Sequence, residues 1–207
     1  MTSPVAEDIW AQWLSFRRQG STTISRDQEH QLQTLRDRVL GLAAIKPDDT
    51  VLDVGCGDGL IAFGALERLG SKGQLVFADL SADLITRCRL AAQQLKAEDR
   101  CRFLVCPADA LQVDTASVDV LTTRSVLIYV SGKDRAMAEA YRVLRPGGRA
   151  VIAEPINRYS FPEPPGTFLG YDVRPINEIA GKLIRLYDQE ATPAIAPMLD
   201  FDERDLV

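Results

Sequence analysis

The sequence is short of the residues that build metal centres and of the charge that attracts nucleic acid. Its 207 residues include one histidine, His30, and four cysteines, Cys56, Cys88, Cys101 and Cys106. No two cysteines form a C-x-x-C pair and none has a histidine neighbour, so no metal site is expected. Cys101 and Cys106 stand five apart in a predicted strand, on opposite faces. Reduced, mostly buried thiols of a cytoplasmic protein are the expectation. Lysine and arginine number 24 against 29 acidic residues, a net charge of −5 with a pI near 5.0. A nucleic-acid surface is normally basic, so no such partner is expected. No apolar run is long enough to span a bilayer, and Met1 to Gly20 lacks the basic-then-apolar order of a signal peptide. What remains is an ordinary globular composition, 46% hydrophobic and 26% charged, in a length that suits one core.

The chain is organised around Val51-Leu52-Asp53-Val54-Gly55-Cys56-Gly57-Asp58-Gly59. Thr50 to Val54 reads as a short buried strand stopped by glycine. The alternating glycines let the backbone turn sharply and approach a ligand closely. Leu60-Ile61-Ala62-Phe63 then begins a helix, whose N-terminus faces whatever sits over the turn. Strand, glycine loop and helix make a place for an adenosine-type cofactor. A dinucleotide fingerprint places its third glycine at the sixth position, which here is Leu60. A P-loop requires a lysine after the glycines, and none is present. Asp53 stands just ahead of the loop, where it repels a pyrophosphate and tolerates a cationic ligand.

With Asp53 ahead of Gly55-x-Gly57-x-Gly59, the stretch resembles the first motif of class I S-adenosylmethionine methyltransferases. The spacing that follows fits. A second strand over 74–78 ends in Asp79-Leu80-Ser81, where an acidic residue is placed to accept two ribose hydroxyls. Asp79 or Ser81 as a simple N-cap for a helix over 82–96 is the competing reading. A third strand over 101–106 leads into Pro107-Ala108-Asp109-Ala110, which resembles the family's adenine clamp. A fourth strand within 116–125 ends at Arg124-Ser125. A helix runs from about Lys133 to Leu144, and Leu144-Arg145-Pro146-Gly147-Gly148 turns it into a strand over 149–153.

The resemblance covers Asp49 to Glu154 and implies an α/β fold: a Rossmann-like, doubly wound sheet in three αβα layers. It implies S-adenosylmethionine as cofactor. Asp53, Gly55, Cys56 and Gly57 form the loop at its methionine moiety, and Asp79 and Leu80 lie on the adenosine. Asp109 and Ala110 lie at the adenine edge, and Arg124 and Ser125 at the methionine end. Arg18 is a speculative partner for the cofactor carboxylate. The implied activity is transfer of a methyl group to an O, N or C atom of a small organic acceptor by in-line displacement. A general base is optional, and none is assigned among His30, Glu154, Tyr129, Tyr171 and Asp172. Trp13 or Tyr129 is placed to face the sulfonium. The competing functions are an inactive S-adenosylmethionine-binding regulatory module and an NAD-dependent oxidoreductase. Arsenite methylation is disfavoured, since Cys56 lies in the cofactor loop and the other cysteines on core elements.

Around the 47–154 core the sequence predicts an N-terminal part, 1–46, with a helix over 7–18 that is either a lid or packed on the domain. A second helix, over 26–44, packs on the sheet. The proline-rich stretch 155–165, a helix over 176–186 and a helix start near 200–207 read as a substrate cap. The family fold has seven strands and the sequence offers five. The remaining antiparallel pair is expected from a further segment or a second chain.

Overall fold

The computed structural model describes residues 8, 26–156, 164–168, 171–190 and 201–206. Apart from Asp8, the helix expected over 7–18, with Trp13 and Arg18, lies outside the described residues, as do Tyr159 and Phe161.

Five parallel strands form the sheet: β1 (Thr50–Val54), β2 (Gln74–Asp79), β3 (Cys101–Val105), β4 (Val118–Arg124) and β5 (Leu144–Ala153), in the order β3-β2-β1-β4-β5. β1 pairs with β2 on one side and with β4 on the other. The chain therefore winds outward from β1 in one direction and then restarts in the other. Helices α1 (Arg26–Ala43), α2 (Leu60–Leu66) and α3 (Ala82–Gln94) cover one face, and α4 (Lys133–Val143) covers the opposite one. This is the doubly wound, three-layer architecture that the sequence implies.

Alternation along β1 divides its side chains between the layers. Val51 enters a core with Leu40, Ile61, Ala65 and Phe77. Leu52 and Val54 enter a second core with Val76, Leu121 and Val143. A strand buried on both faces reads as an unbroken apolar run, and in β1 the buried stretch Val51–Val54 is broken only by Asp53. Aromatic contacts tie the first layer across two strands and a helix: Phe77 lies 5.2 Å from Phe63 and 5.0 Å from Phe103 between ring centroids. Arg149 of β5 donates to the terminal carbonyls of α1, Ala43 and Ala44, at 2.5 and 2.6 Å. Its cation thus satisfies carbonyls that a helix end leaves unpaired.

The turn expected at 144–148 is instead part of β5. Leu144 pairs with Val118 and Arg149 with Val120, so Arg145 to Gly148 bulge out opposite the single residue Asp119. Gly147 takes φ +79°, which glycine adopts without strain. Arg145 clamps the bulge by donating to both Asp119 oxygens at 2.8 and 2.9 Å. Beyond Glu154, β6 (Thr167–Phe168) and β7 (Tyr171–Asp172) pair antiparallel, just after the proline-rich stretch 155–165. Helix α5 (Asn177–Glu190) runs slightly past the expected 176–186, and Glu203–Leu206 form a 3-10 turn in place of a helix start. Among the described residues no helix is long and apolar enough to cross a membrane.

Among the described residues one buried side-chain polar group is left unsatisfied. The Thr123 hydroxyl on β4 has no hydrogen-bond partner and borders an apolar void of about 20 Å³ with Val54, Leu111 and Ile152. Replacing such a group with an apolar isostere removes a desolvation cost. Thr123→Val is expected to raise the unfolding free energy by about 1 kcal/mol. The measurement is a higher urea midpoint with an unchanged slope.

Candidate functional site

At the carboxyl ends of the strands, where the winding reverses between β1 and β4, lies a cleft of about 340 Å³. This is where open α/β sheets bind ligands, and the volume suits a small molecule. Its walls come from the segments following β1, β2, β3 and β4, so residues far apart in sequence meet because each ends a parallel strand.

The glycine loop makes one wall. Gly55, Gly57 and Gly59 all have positive φ, at 65°, 57° and 89°. A Cβ on Gly55 would stand 2.2 Å from Cγ2 of Val126, so the loop's close approach to the end of β4 requires glycine. The loop's donors are turned inward. Gly55 and Cys56 donate to the Ala78 carbonyl at 2.7 and 3.1 Å, and Gly59 donates to the Cys56 carbonyl at 2.8 Å. Gly57 donates to Oδ2 of Asp79 at 2.8 Å. A phosphate cradle needs these same N–H groups pointing at the ligand. A dinucleotide or nucleotide triphosphate is therefore poorly served here.

Asp53 holds the loop from beneath. Its side chain is 2% exposed; Oδ2 accepts the Ala62 N–H in the first turn of α2 at 3.1 Å, and Oδ1 accepts the Thr122 hydroxyl at 2.8 Å. Burial raises its pKa to about 7, against the lowering effects of those two hydrogen bonds and of Arg124. Cys56 and Cys88 both donate to the Gly57 carbonyl, at 3.8 and 3.4 Å. The neighbouring Cys88 thiol, with burial, pushes the Cys56 thiol far up. A protonated, shielded thiol such as that of Cys56 packs a loop and does not react.

Asp79 ends β2. Besides Gly57, it accepts the Ser81 N–H on Oδ1 at 2.9 Å, and burial again raises its pKa, with Asp8 adding to the rise. The N-cap is Ser81, whose hydroxyl accepts the Leu84 N–H at 3.1 Å and donates to Asp8 at 2.6 Å. This division of labour separates Asp79 from the capping role. Leu80 lines the cleft beside it. From the β3 end, Cys106, Ala108 and Asp109 line the cleft. Ala110 does not reach it. The Ala110 N–H, expected at the adenine edge, is taken by the Pro107 carbonyl at 3.2 Å, so the tight turn consumes the donor and carries the side chain out to solvent.

Arg124 and Ser125 line the cleft at the end of β4. Ser125 is held at φ +54°, a strained conformation for a residue with a side chain, and its N–H donates to the Ala153 carbonyl at 2.9 Å. The following turn supplies Tyr129, Val130 and Ser131 to the cleft. Glu154 fixes that turn by accepting the N–H groups of Val126, Leu127 and Ile128 at 2.9, 3.2 and 3.4 Å. Burial raises its pKa and these bonds oppose the rise. Glu154 is thus an anchor outside the cleft lining. His30 is exposed on α1, and Asp172 is exposed and paired with Arg174 at 2.7 Å. Of the five candidate bases, Tyr129 alone lines the cleft, although the side chain of Tyr171 lies outside what is described.

Sequence reasoning missed Arg135, whose guanidinium sits on Asp109, and Asp8 on Ser81. It also missed Glu139 and Arg142, which hold the loop after β3. Their i,i+3 opposite charges were the one local signal.

A family model described as a methyltransferase domain matches residues 45–173. The chain is 33% identical over 121 residues to the arsenite methyltransferase of Halobacterium salinarum, covering 58% of this chain and 31% of that protein. It is 39% identical over 114 residues to the ubiquinone/menaquinone biosynthesis C-methyltransferase UbiE of Xanthomonas campestris, covering 54% and 44%. Among solved structures, the geranyl diphosphate C-methyltransferase of Streptomyces coelicolor, in complex with S-adenosyl-L-homocysteine, superposes with a TM-score of 0.54 at 26% identity, covering 57% of this chain and 42% of that one. The chain spans less than half the length of the curated relatives it matches.

Two outcomes follow from the loop geometry. The unfolded Asp53 carboxyl ionises near 3.8 and the folded one near 7. Between those values the unfolded chain loses its proton first, so Asp53 makes stability fall as pH rises through that window. Asp53→Asn retains the pattern, with Oδ1 accepting Ala62 and the amide donating to Thr122. Its unfolding free energy relative to the parent is expected to increase from pH 5 to pH 7.5 in urea titrations. Gly55→Ala meets both the Val126 clash and the left-handed penalty of about 1–2 kcal/mol, and is expected to lower the melting temperature by several degrees.

Proposed function

The chain belongs to the methyltransferase domain family, and from that premise we propose that it transfers a methyl group from S-adenosylmethionine to a small organic acceptor. The observation that carries this reading is the polarity of the cleft. The N–H groups of Gly55, Cys56, Gly57 and Gly59 are satisfied internally, while Asp79 and Asp109 line the walls and Asp53 is buried beneath the loop. Such a site suits a ligand that brings an ammonium, a sulfonium, ribose hydroxyls and an exocyclic amine, and disfavours a pyrophosphate. The close approach at Gly55, which any Cβ would block, fits the same ligand.

In this reading Asp79 takes the ribose hydroxyls. Its two oxygens each accept one backbone N–H, and a carboxylate offers about four acceptor positions. Leu80 and Leu84 flank the base, and Asp109 accepts from its amine. Gly55, Cys56 and Gly57 border the methionine moiety, with Asp53 fixing the loop and Arg124 and Ser125 at the far end. When bound, the cofactor supplies a methyl group on a sulfonium, already activated for displacement. The protein's part is then to align the acceptor and exclude water, and such positioning can supply about 7–11 kcal/mol. In this reading Tyr129, which lines the cleft, faces the sulfonium and borders the acceptor. No base is assigned.

The acceptor is read as organic, through O, N or C. An arsenite acceptor would call for accessible thiolates. Here Cys56, Cys88 and Cys106 are buried, burial raises the Cys106 pKa, and two of the thiols are committed to Gly57.

The test is calorimetric titration with S-adenosylhomocysteine, with NAD as control. Micromolar binding of the former alone is expected; no binding of it, or binding of NAD alone, overturns the reading. Asp79→Asn turns one acceptor oxygen into an amide donor, so it loses charge-assisted bonds to the ligand and leaves the Gly57 or Ser81 N–H without its acceptor. It is expected to weaken S-adenosylhomocysteine binding by about tenfold or more and to lower the melting temperature of the free protein by several degrees.

A further inference from the structure

We propose that Ser125, with Arg124, selects the methyl acceptor, and that the acceptor it selects carries an ionised oxygen. The inference rests on the cofactor reading above. Among the described residues that line the cleft, Gly55, Gly57 and Ser125 have positive φ. At the first two the chain uses glycine, which adopts the conformation without strain. At Ser125, with φ +54°, it keeps a side chain despite the strain. The other non-glycine residues of this kind do not line the cleft. Ala44 and Lys96 follow the ends of α1 and α3, an ordinary place for a left-handed cap, and Ala116 lies in the turn before β4.

The turn holds Ser125 by its backbone. The Ser125 N–H donates to the Ala153 carbonyl at 2.9 Å, and Glu154 takes the next three N–H groups. Nζ of Lys133 donates to the Val130 carbonyl at 3.1 Å and closes the far end. None of these contacts uses the hydroxyl, which has no hydrogen-bond partner among the described residues. A half-buried hydroxyl kept in a strained residue and left open to the cleft is a group for a ligand.

The charges around it indicate which ligand. The walls after β1, β2 and β3 each carry an acid, Asp58, Asp79 and Asp109. Among the described residues the wall at the end of β4 carries none, and Arg124 on that wall is the one cation lining the cleft. Arg124 also acts on Asp53 and Glu154, lowering the pKa of each. A cation and an open hydroxyl on one wall suit an oxyanion, which both can reach with charge-assisted bonds. An acceptor that arrives ionised needs no general base. Its electron pair forms the bond to the methyl carbon, the carbon–sulfur pair passes to sulfur, and no proton has to leave first. A neutral acceptor of the same shape forgoes the charge-assisted bonds.

The experiment is calorimetry on the protein saturated with S-adenosylhomocysteine, with benzoate and its neutral amide, benzamide, as probes. The parent is expected to bind benzoate about tenfold or more tightly than benzamide. Ser125→Ala removes the hydroxyl and keeps the strain, and is expected to lose about tenfold for benzoate and less for benzamide. Ser125→Gly removes both, and is expected to show the same loss with a urea midpoint at or above that of the parent. No binding of benzoate, equal affinity for the two probes, or undiminished benzoate binding in either variant overturns the proposal while the cofactor reading stands. A second arm compares S-adenosylhomocysteine with methylthioadenosine, which lacks the amino-acid end. If Ser125→Ala weakens the former alone, the hydroxyl serves the cofactor carboxylate and the proposal falls. Failure of the parent to bind S-adenosylhomocysteine overturns both readings.

Discussion

The structure turns on one buried carboxylate. Asp53 interrupts an otherwise apolar strand at the centre of the sheet, and its two oxygens join three elements: β1, which carries it, the first turn of α2, and Thr122 on β4, 69 positions away. Left alone, such a group would cost several kcal/mol to bury. It is tolerated because one oxygen takes a helix N-terminal donor that the helix cannot satisfy itself and the other takes a hydroxyl from the neighbouring strand. Both bonds close over the glycine loop. The loop's conformation, the start of α2 and the spacing of β1 and β4 are thereby settled together, and these three define the cleft.

The remaining walls are positioned by the same logic of strand ends. Asp79 lies at the end of β2 and bonds back to Gly57, so the ribose-side wall and the glycine loop are one hydrogen-bonded unit. Glu154 lies just past β5 and gathers the N–H groups of the turn bearing Tyr129. Asp53 and Asp79 are buried and Glu154 is half-buried, and burial raises the pKa of each while the hydrogen bonds each accepts oppose the rise.

What the sequence disclosed and what it withheld divide along a physical line. The central strand, the glycine loop and Asp79 were legible because their chemistry is local: apolar runs, glycines where φ is positive, an acid at a strand tip. Helix α1 ended within a residue of its expected end because its apolar stripe is periodic. The bond from the Ala110 N–H to the Pro107 carbonyl depends on a turn geometry that no residue type announces. The bulge of Arg145 to Gly148 was read as a free turn, since only the pairing of Leu144 with Val118 shows it belongs to the strand. Arg135, Glu139 and Arg142 act on partners 26 to 31 positions away, and Glu154 on partners 26 to 28 away. Contacts of that range leave no pattern in one sequence.

The face of α4 that holds the loop after β3 constrains how this chain can change. Arg135, Glu139 and Arg142 align because they are four and three residues apart, matching the turn of an α-helix. Inserting or deleting one residue between them would rotate the later anchors by about 100° and release the loop, whatever residues were used. On the opposite side Tyr141 is 85% exposed and open to replacement. The helix is therefore free in composition along its outer surface and fixed in length along its inner one, so lineages sharing this loop should vary in α4 by substitution and keep its residue count.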